Sequence, residues 1–236
     1  MEIKEQSGLR AVLADVELPR MAMIRQKFPR DGIEDVAAYL MEKLDREDLR
    51  SRIKPGMRVV LTGSSRKIAN MPLILRELAD YVRAQGAHPY IIPAMGSHGG
   101  ATAEGQREIL ESYGITEEAC RCPIFSSMET VQVGSLSNGD EVRVDRFAYE
   151  ADAVIVVGRI KAHTAFRGAY ESGLVKMMAI GMGKREGADS LHRAGFQWMG
   201  ERLPQYAKVI FDHTNIIFGV GTIENEFDQT SRIEAR

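Results

Sequence analysis

The chain has 236 residues, 44% hydrophobic and 27% charged, a globular composition that excludes disordered, fibrous and disulfide-stapled classes. A formal net charge of −2 excludes a global attraction for nucleic acid or anionic membrane, and no apolar run reaches the ~18 residues of a spanning helix. Two cysteines, Cys120 and Cys122, fall short of a structural zinc site, and the polar start "MEIKEQSGLR" lacks a signal peptide's apolar core, so the expected location is cytoplasmic.

Residues 1–54 are charged and loosely periodic, with one helix expected over "IEDVAAYLMEKL" (33–44). From Pro55 strand and helix patterns alternate. "RVVL" (58–61) predicts a short buried strand. An amphipathic helix follows over 71–86: Leu75, Leu78, Ala79 and Val82 share a face, and Gly86 ends it. "PYIIP" (89–93) is the next strand and 102–114 the next helix. "TVQVGSL" and "EVRVD" flank Asn138-Gly139, a two-residue hairpin signal. "AVIVVG" (153–158) is a fully apolar strand of the buried parallel type. "SGLVKMMAIGMG" (172–183) reads as a buried helix, and "AKVIFD" and "NIIFGVGTI" as further strands. The end, "ENEFDQTSRIEAR", reads as a turn and the first turns of a helix, as if a longer protein continued. The expected class is α/β: a largely parallel, twisted sheet with helices on both faces, plus a β-hairpin.

Ligands of open α/β sheets sit beyond the carboxyl ends of the strands. Three apolar strands end here in polar or glycine-rich loops: "TGSSRK" (62–67), "AMGSHGG" (94–100) and "GRIKAHTAFRG" (158–168). Each carries a candidate group at a similar distance from its strand: Arg66, His98 and His163. Parallel pairing would bring the three to one edge. Gly96, Gly99 and Gly100 allow close backbone approach to a ligand, and the helix amino terminus after them favours an anion. His88 and His213 lie away from this edge and read as structural.

Lys176 is the one charge within 172–183. At helical spacing its neighbours are Ser172, Gly173, Ala179 and Ile180, while Leu174, Val175, Met177 and Met178 point into the core. A buried ammonium is costly, so Lys176 is either wet, paired with an anion or no longer an amine. His192 follows sixteen residues later, beyond the glycine-rich "GMGKREGAD". A break there, with Asp189 or Ser190 as a new cap, would return it to the same site, where a neutral imidazole is a good ligand for nickel, copper or zinc.

These residues taken in order, "SSR", "GSHGG", "RIKAHTAFRGAYESGLVKMMAIGMGKREGA" and "IENEFDQTSRIEA", resemble the nickel-dependent lactate racemases and their 2-hydroxyacid racemase and epimerase relatives. The resemblance covers about residues 55 to 236. It implies that the chain is the amino-terminal, cofactor-bearing domain of such a protein and that a carboxyl-terminal domain is absent. It implies a nickel pincer nucleotide (pyridinium-3,5-bisthiocarboxylic acid mononucleotide), attached covalently to Lys176 of the Ser172-Gly173-x-x-Lys pattern, with His192 as protein ligand to nickel. Gly96 and Gly99 would lie against that cofactor. His98 and His163 would be the acid/base pair, and Arg66 would hold the substrate. The implied partners are a 2-hydroxy acid and the proteins that synthesise the cofactor, with homo-oligomerisation left open. The implied chemistry moves a hydride while a histidine takes the hydroxyl proton, because the α-proton itself is too weakly acidic. Two departures point away from lactate and toward another 2-hydroxy acid or a sugar acid. Gly63 stands where lactate racemase has an acidic residue, and the interval from His163 to Lys176 is longer, placing Arg167 where it could meet a second carboxylate. The rival readings are a nucleotide- or metal-binding module without catalysis, and a zinc hydrolase using His98, His163 and His192.

Overall fold

The computed structural model describes residues 12–17, 19–193 and 195–236, so the "MEIKEQSGLR" segment lies outside the described residues. Its strands are β1 (Arg58–Gly63), β2 (His88–Pro93), β3 (Thr130–Ser135), β4 (Glu141–Asp145), β5 (Ala153–Arg159), β6 (Ile216–Glu224) and β7 (Thr230–Ala235). Five form one sheet in the order β2-β1-β5-β6-β7, parallel except for the antiparallel edge strand β7. β3 and β4 form the separate hairpin. Its loop is longer than two residues: Asn138 ties its side chain to Asp140, and only Gly139 takes a positive φ, +88°.

The longer helices are α1 (Val36–Leu44), α2 (Met71–Ala84), α3 (Ala103–Ser112), α4 (Lys184–His192) and α5 (Met199–His213). Asp35 caps α1 by accepting from the Ala38 N–H at 2.9 Å, and Thr102 caps α3 by accepting from Gly105. Because side chains alternate along a strand, the sheet divides the core in two. Val59, Leu61, Ile91, Ile155 and Val157 pack toward α1 and α2. Val60, Ile92, Val154 and Val156 pack toward the hairpin and α5. Leu75, Leu78 and Val82 of α2 are fully buried, each worth about 1.5–3 kcal/mol of transfer free energy.

Three expectations change. "AKVIFD" belongs to α5 and is not a strand. Met199, Leu203, Tyr206, Ala207 and Ile210 are buried at helical spacing, a period too long for a six-residue window to reveal. The chain's last residues form β7, not a helix: Ile233 and Ala235 are buried while Glu234 between them is only half-buried, a period of two. Asn225 makes the turn before β7, its side-chain oxygen accepting from the N–H groups of Phe227 and Gln229. The segment 172–183 is not one helix. A single α-turn, Leu174–Lys176, runs into a π-helical stretch, Met177–Met182, and α4 begins directly after Gly183. Asp189 and Ser190 lie inside α4 and cap nothing; the change of direction is made at Lys184, whose φ is +52°.

Candidate active site

β1 is the parallel neighbour of both β2 and β5, with Leu61 in register with Ile91 on one side and Ile155 on the other. Their carboxyl ends therefore open together, and a cavity of about 460 Å³ lies beyond them, within the range of cofactor sites. Arg66, His98 and His163 line it, one from each loop, and Lys176, Ser172 and Gly173 complete the wall. Arg159 and Lys161 add positive charge, and among the described residues no Asp or Glu lines the cavity. Arg159 is paired with Glu224, whereas Arg66, Lys161 and Lys176 have no acidic partner among the described residues.

Each loop is tied down by a group outside the wall. The Glu224 carboxylate, nearly buried, accepts from the Ala69 N–H at 2.6 Å and from Arg159, joining the Arg66 loop to the ends of β5 and β6. The Glu171 carboxylate accepts from the backbone N–H of His163 at 2.9 Å and of Gly168 at 3.3 Å, closing the third loop. Those backbone bonds hold its carboxyl below the ordinary glutamate value. Arg167 donates to the carbonyls of His163 and Phe166 and is absent from the wall. The His98 loop is gripped from Gln106, which donates to the carbonyls of Gly96 at 2.8 Å and His98 at 3.3 Å.

Gly96 and Gly99 have positive φ of +60° and +66°, and both stand against the chain itself. A β-carbon at Gly96 would meet Ile180 at 3.1 Å, and one at Gly99 would meet the Gly105 backbone at 2.5 Å. Neither lines the cavity, and the amino terminus of α3 is taken by its Thr102 cap. Met177 packs against the core as expected but also lines the cavity, where Ile180 joins it, while Ala179, expected beside the lysine, is buried. The wider π winding rotates every residue after Lys176 relative to an α-helix. His192 ends α4 and does not line the cavity. Its ring lies 6.1 Å from that of Phe196, which lies 6.4 Å from that of His163.

Electrostatics follow from the missing carboxylates. Lys176 is half-buried, and desolvation, then the charges of Lys161 and Arg66, lower its pKa. Desolvation and nearby cations likewise lower His98 and His163, and desolvation and Lys176 lower His192. The His163 Nδ1 accepts from the Ala165 N–H at 3.1 Å, so the neutral ring carries its proton on Nε2. The His98 ring has no hydrogen-bond partner among the described residues, which leaves either nitrogen free to accept. A histidine whose folded pKa is depressed binds its proton less tightly than the unfolded chain does. Stability contributed here is therefore present above the unfolded value of 6.5 and lost as pH falls below it. NMR titration of the three imidazoles is expected to give midpoints below 6.5; midpoints above it would contradict this picture.

Among the described residues no three His, Cys, Asp or Glu side chains come together as a metal site, so His98, His163 and His192 do not form the three-histidine centre of a zinc hydrolase. The chemistry present is a cationic wall, an amine driven toward its neutral form and separate imidazoles. That donor set fits an anionic nucleotide which brings most of the ligands for its own metal.

A family model for the lactate racemase N-terminal domain matches residues 12–202. Among solved structures, the lactate racemase apoprotein from Thermoanaerobacterium thermosaccharolyticum has a similar fold, with a TM-score of 0.66 and 14% sequence identity. The match covers 89% of this chain and 55% of that one, so the chain spans about half the length of its structural relative. No curated protein matches in sequence.

Proposed function

The chain belongs to the lactate racemase N-terminal domain family, and from that premise we propose that it is the cofactor-bearing part of a racemase or epimerase of 2-hydroxy acids dependent on a nickel pincer nucleotide. One observation carries the reading: three parallel strand ends deliver Arg66, His98 and His163 to the same cavity as Lys176, with no carboxylate in its wall among the described residues. Lys176 would hold the nucleotide through an amide-type bond, Ser172 and Gly173 would flank that bond, and His192 would offer its imidazole to nickel. When bound, the group supplies a hydride acceptor.

The chain's own residues bind, orient and move the proton. Arg66 holds the substrate carboxylate. His98, with a free ring, takes the hydroxyl proton, while the Nε2–H of His163 donates a hydrogen bond to the substrate oxygen. The roles exchange for the other enantiomer, for which the His163 ring gives up the Ala165 N–H. Both tasks need neutral imidazole, the form favoured by burial and by the surrounding cations. Gly63 and the long loop after His163 favour a substrate other than lactate. The cofactor-synthesis proteins would be the chain's maturation partners. Among the described residues no helix is long and apolar enough to cross a membrane.

The test is chiral analysis of single-enantiomer 2-hydroxy acids and sugar acids, incubated with the full-length protein matured with nickel and the synthesis machinery. At least one substrate should be inverted, and His98→Ala combined with His163→Ala should slow inversion by about 10²-fold or more. Inversion that survives this double replacement sinks the assigned pair. A fully loaded protein that inverts nothing is a binding module.

A further inference from the structure

Outside the cavity wall lies a buried polar cluster that the chemistry above does not use. Lys184 has zero exposure, and its ammonium meets three partners: the Pro93 carbonyl, Gln106 Oε1 at 3.1 Å and Asp145 Oδ2 at 2.9 Å. Two of its N–H groups donate to the Pro93 carbonyl and Gln106 Oε1, and the Asp145 carboxylate beside it supplies the opposite charge a buried ammonium needs. Lys184 also holds a left-handed backbone, φ +52°, which side chains other than glycine adopt only at a cost.

Gln106, equally buried, is the member that reaches the site. Lysine has donors and no acceptor, so the amide must present its oxygen to Lys184. That forces the NH₂ end toward the loop, where it donates to the carbonyls of Gly96 at 2.8 Å and His98 at 3.3 Å. The Gly96 N–H in turn donates to the Gly181 carbonyl at 3.2 Å, in the segment that carries Lys176. A β-carbon at Gly181 would sit 2.6 Å from the Ala94 oxygen, so the two segments touch backbone to backbone. The geometry points to Gln106, oriented by Lys184, as a positioning residue that sets where His98 stands relative to Lys176. Its catalytic consequence rests on the role proposed for His98; the positioning itself does not.

Gln106→Glu is the informative variant. It keeps the shape and the oxygen facing Lys184 but sets a second oxygen against the Gly96 and His98 carbonyls. Gln106→Leu, which loses both ends, is the second variant. Neither readout needs turnover: amide hydrogen exchange across residues 94–101, and the titration of the His98 imidazole in histidine-labelled protein, assigned with His98→Ala. In Gln106→Glu the fold should persist with a lowered melting temperature, because the second oxygen is buried against two carbonyls. Exchange in the loop should rise about tenfold or more. The His98 midpoint should move up toward 6.5 as the ring gains solvent and the loop leaves Arg66 and Lys176. Unchanged exchange with an unchanged midpoint overturns the proposal. Loss of the whole fold in both variants also overturns it, because the side chain is then a core brace and nothing more. In the full-length loaded enzyme, kcat should fall with KM little changed. A loosened loop with undiminished kcat supports the positioning role and instead removes His98 from the proton-transfer step.

Discussion

Lys176→Ala is expected to abolish both inversion of the substrate and the cofactor-sized mass increment on protein matured with nickel and the synthesis machinery. The expectation is physical before it is familial. An ammonium in bulk water is a poor nucleophile because almost none of it is deprotonated at pH 7. Burial, Lys161 and Arg66 all push Lys176 toward the free amine, and no carboxylate in the wall opposes them. Lys176→Arg is therefore expected to fail equally, since a guanidinium stays charged and cannot form the bond. Intact mass reads attachment independently of catalysis. An increment that persists in Lys176→Ala places the bond elsewhere, and a parent protein that holds nickel without any increment makes the attachment non-covalent.

The largest expected effect on stability comes from Lys184→Met, a replacement of similar length without charge. It leaves the Asp145 carboxylate, the Pro93 carbonyl and Gln106 Oε1 facing an apolar group at zero exposure. Removing one member of a buried ion pair costs about 3–5 kcal/mol, a large part of a domain's total of roughly 5–15 kcal/mol. For a chain of this size that lowers the melting temperature by about 10 °C or more. Lys184 is the ion-pair partner of Asp145 Oδ2 at 2.9 Å, and that buried oxygen accepts no hydrogen bond, so Lys184→Met leaves the carboxylate charge stranded. Asp145→Asn should therefore recover part of the loss when added to Lys184→Met. The amide still accepts from the Phe147 and Ala148 N–H groups, as Asp145 Oδ1 does now, and no longer strands a charge. A Lys184→Met protein that melts with the parent would refute this account.

The strands whose loops build the site were legible because burial on both faces leaves an uninterrupted apolar run, as in "AVIVVG". Knowing that those strands are parallel was enough to place Arg66, His98 and His163 together. What escaped the sequence were effects of winding and of distant pairing. The π-helical stretch moved Met177 into the wall and Ala179 out of it, and the residues of "MMAIGM" give no local sign of that winding. Gln106, Asp145 and Lys184 are far apart in the chain and each reads as an ordinary surface residue. Glu171 and Glu224 were hidden for the same reason, since their work is done on backbone N–H groups of loops. His192 was assigned to the site by its spacing, the glycine break and the resemblance; the fold sets it at the end of α4, outside the wall, its ring 6.1 Å from that of Phe196.

A wall without carboxylates also governs how ligands arrive. The chain is slightly acidic overall, with a net charge of −2, yet the mouth beyond β1, β2 and β5 is cationic. Such a local field draws anions over about one Debye length, ~8 Å at physiological ionic strength, and leaves the rest of the surface indifferent to them. Encounter with a nucleotide or a hydroxy acid is thus biased toward productive orientations before any contact forms. Added salt should slow that capture far more than it slows release.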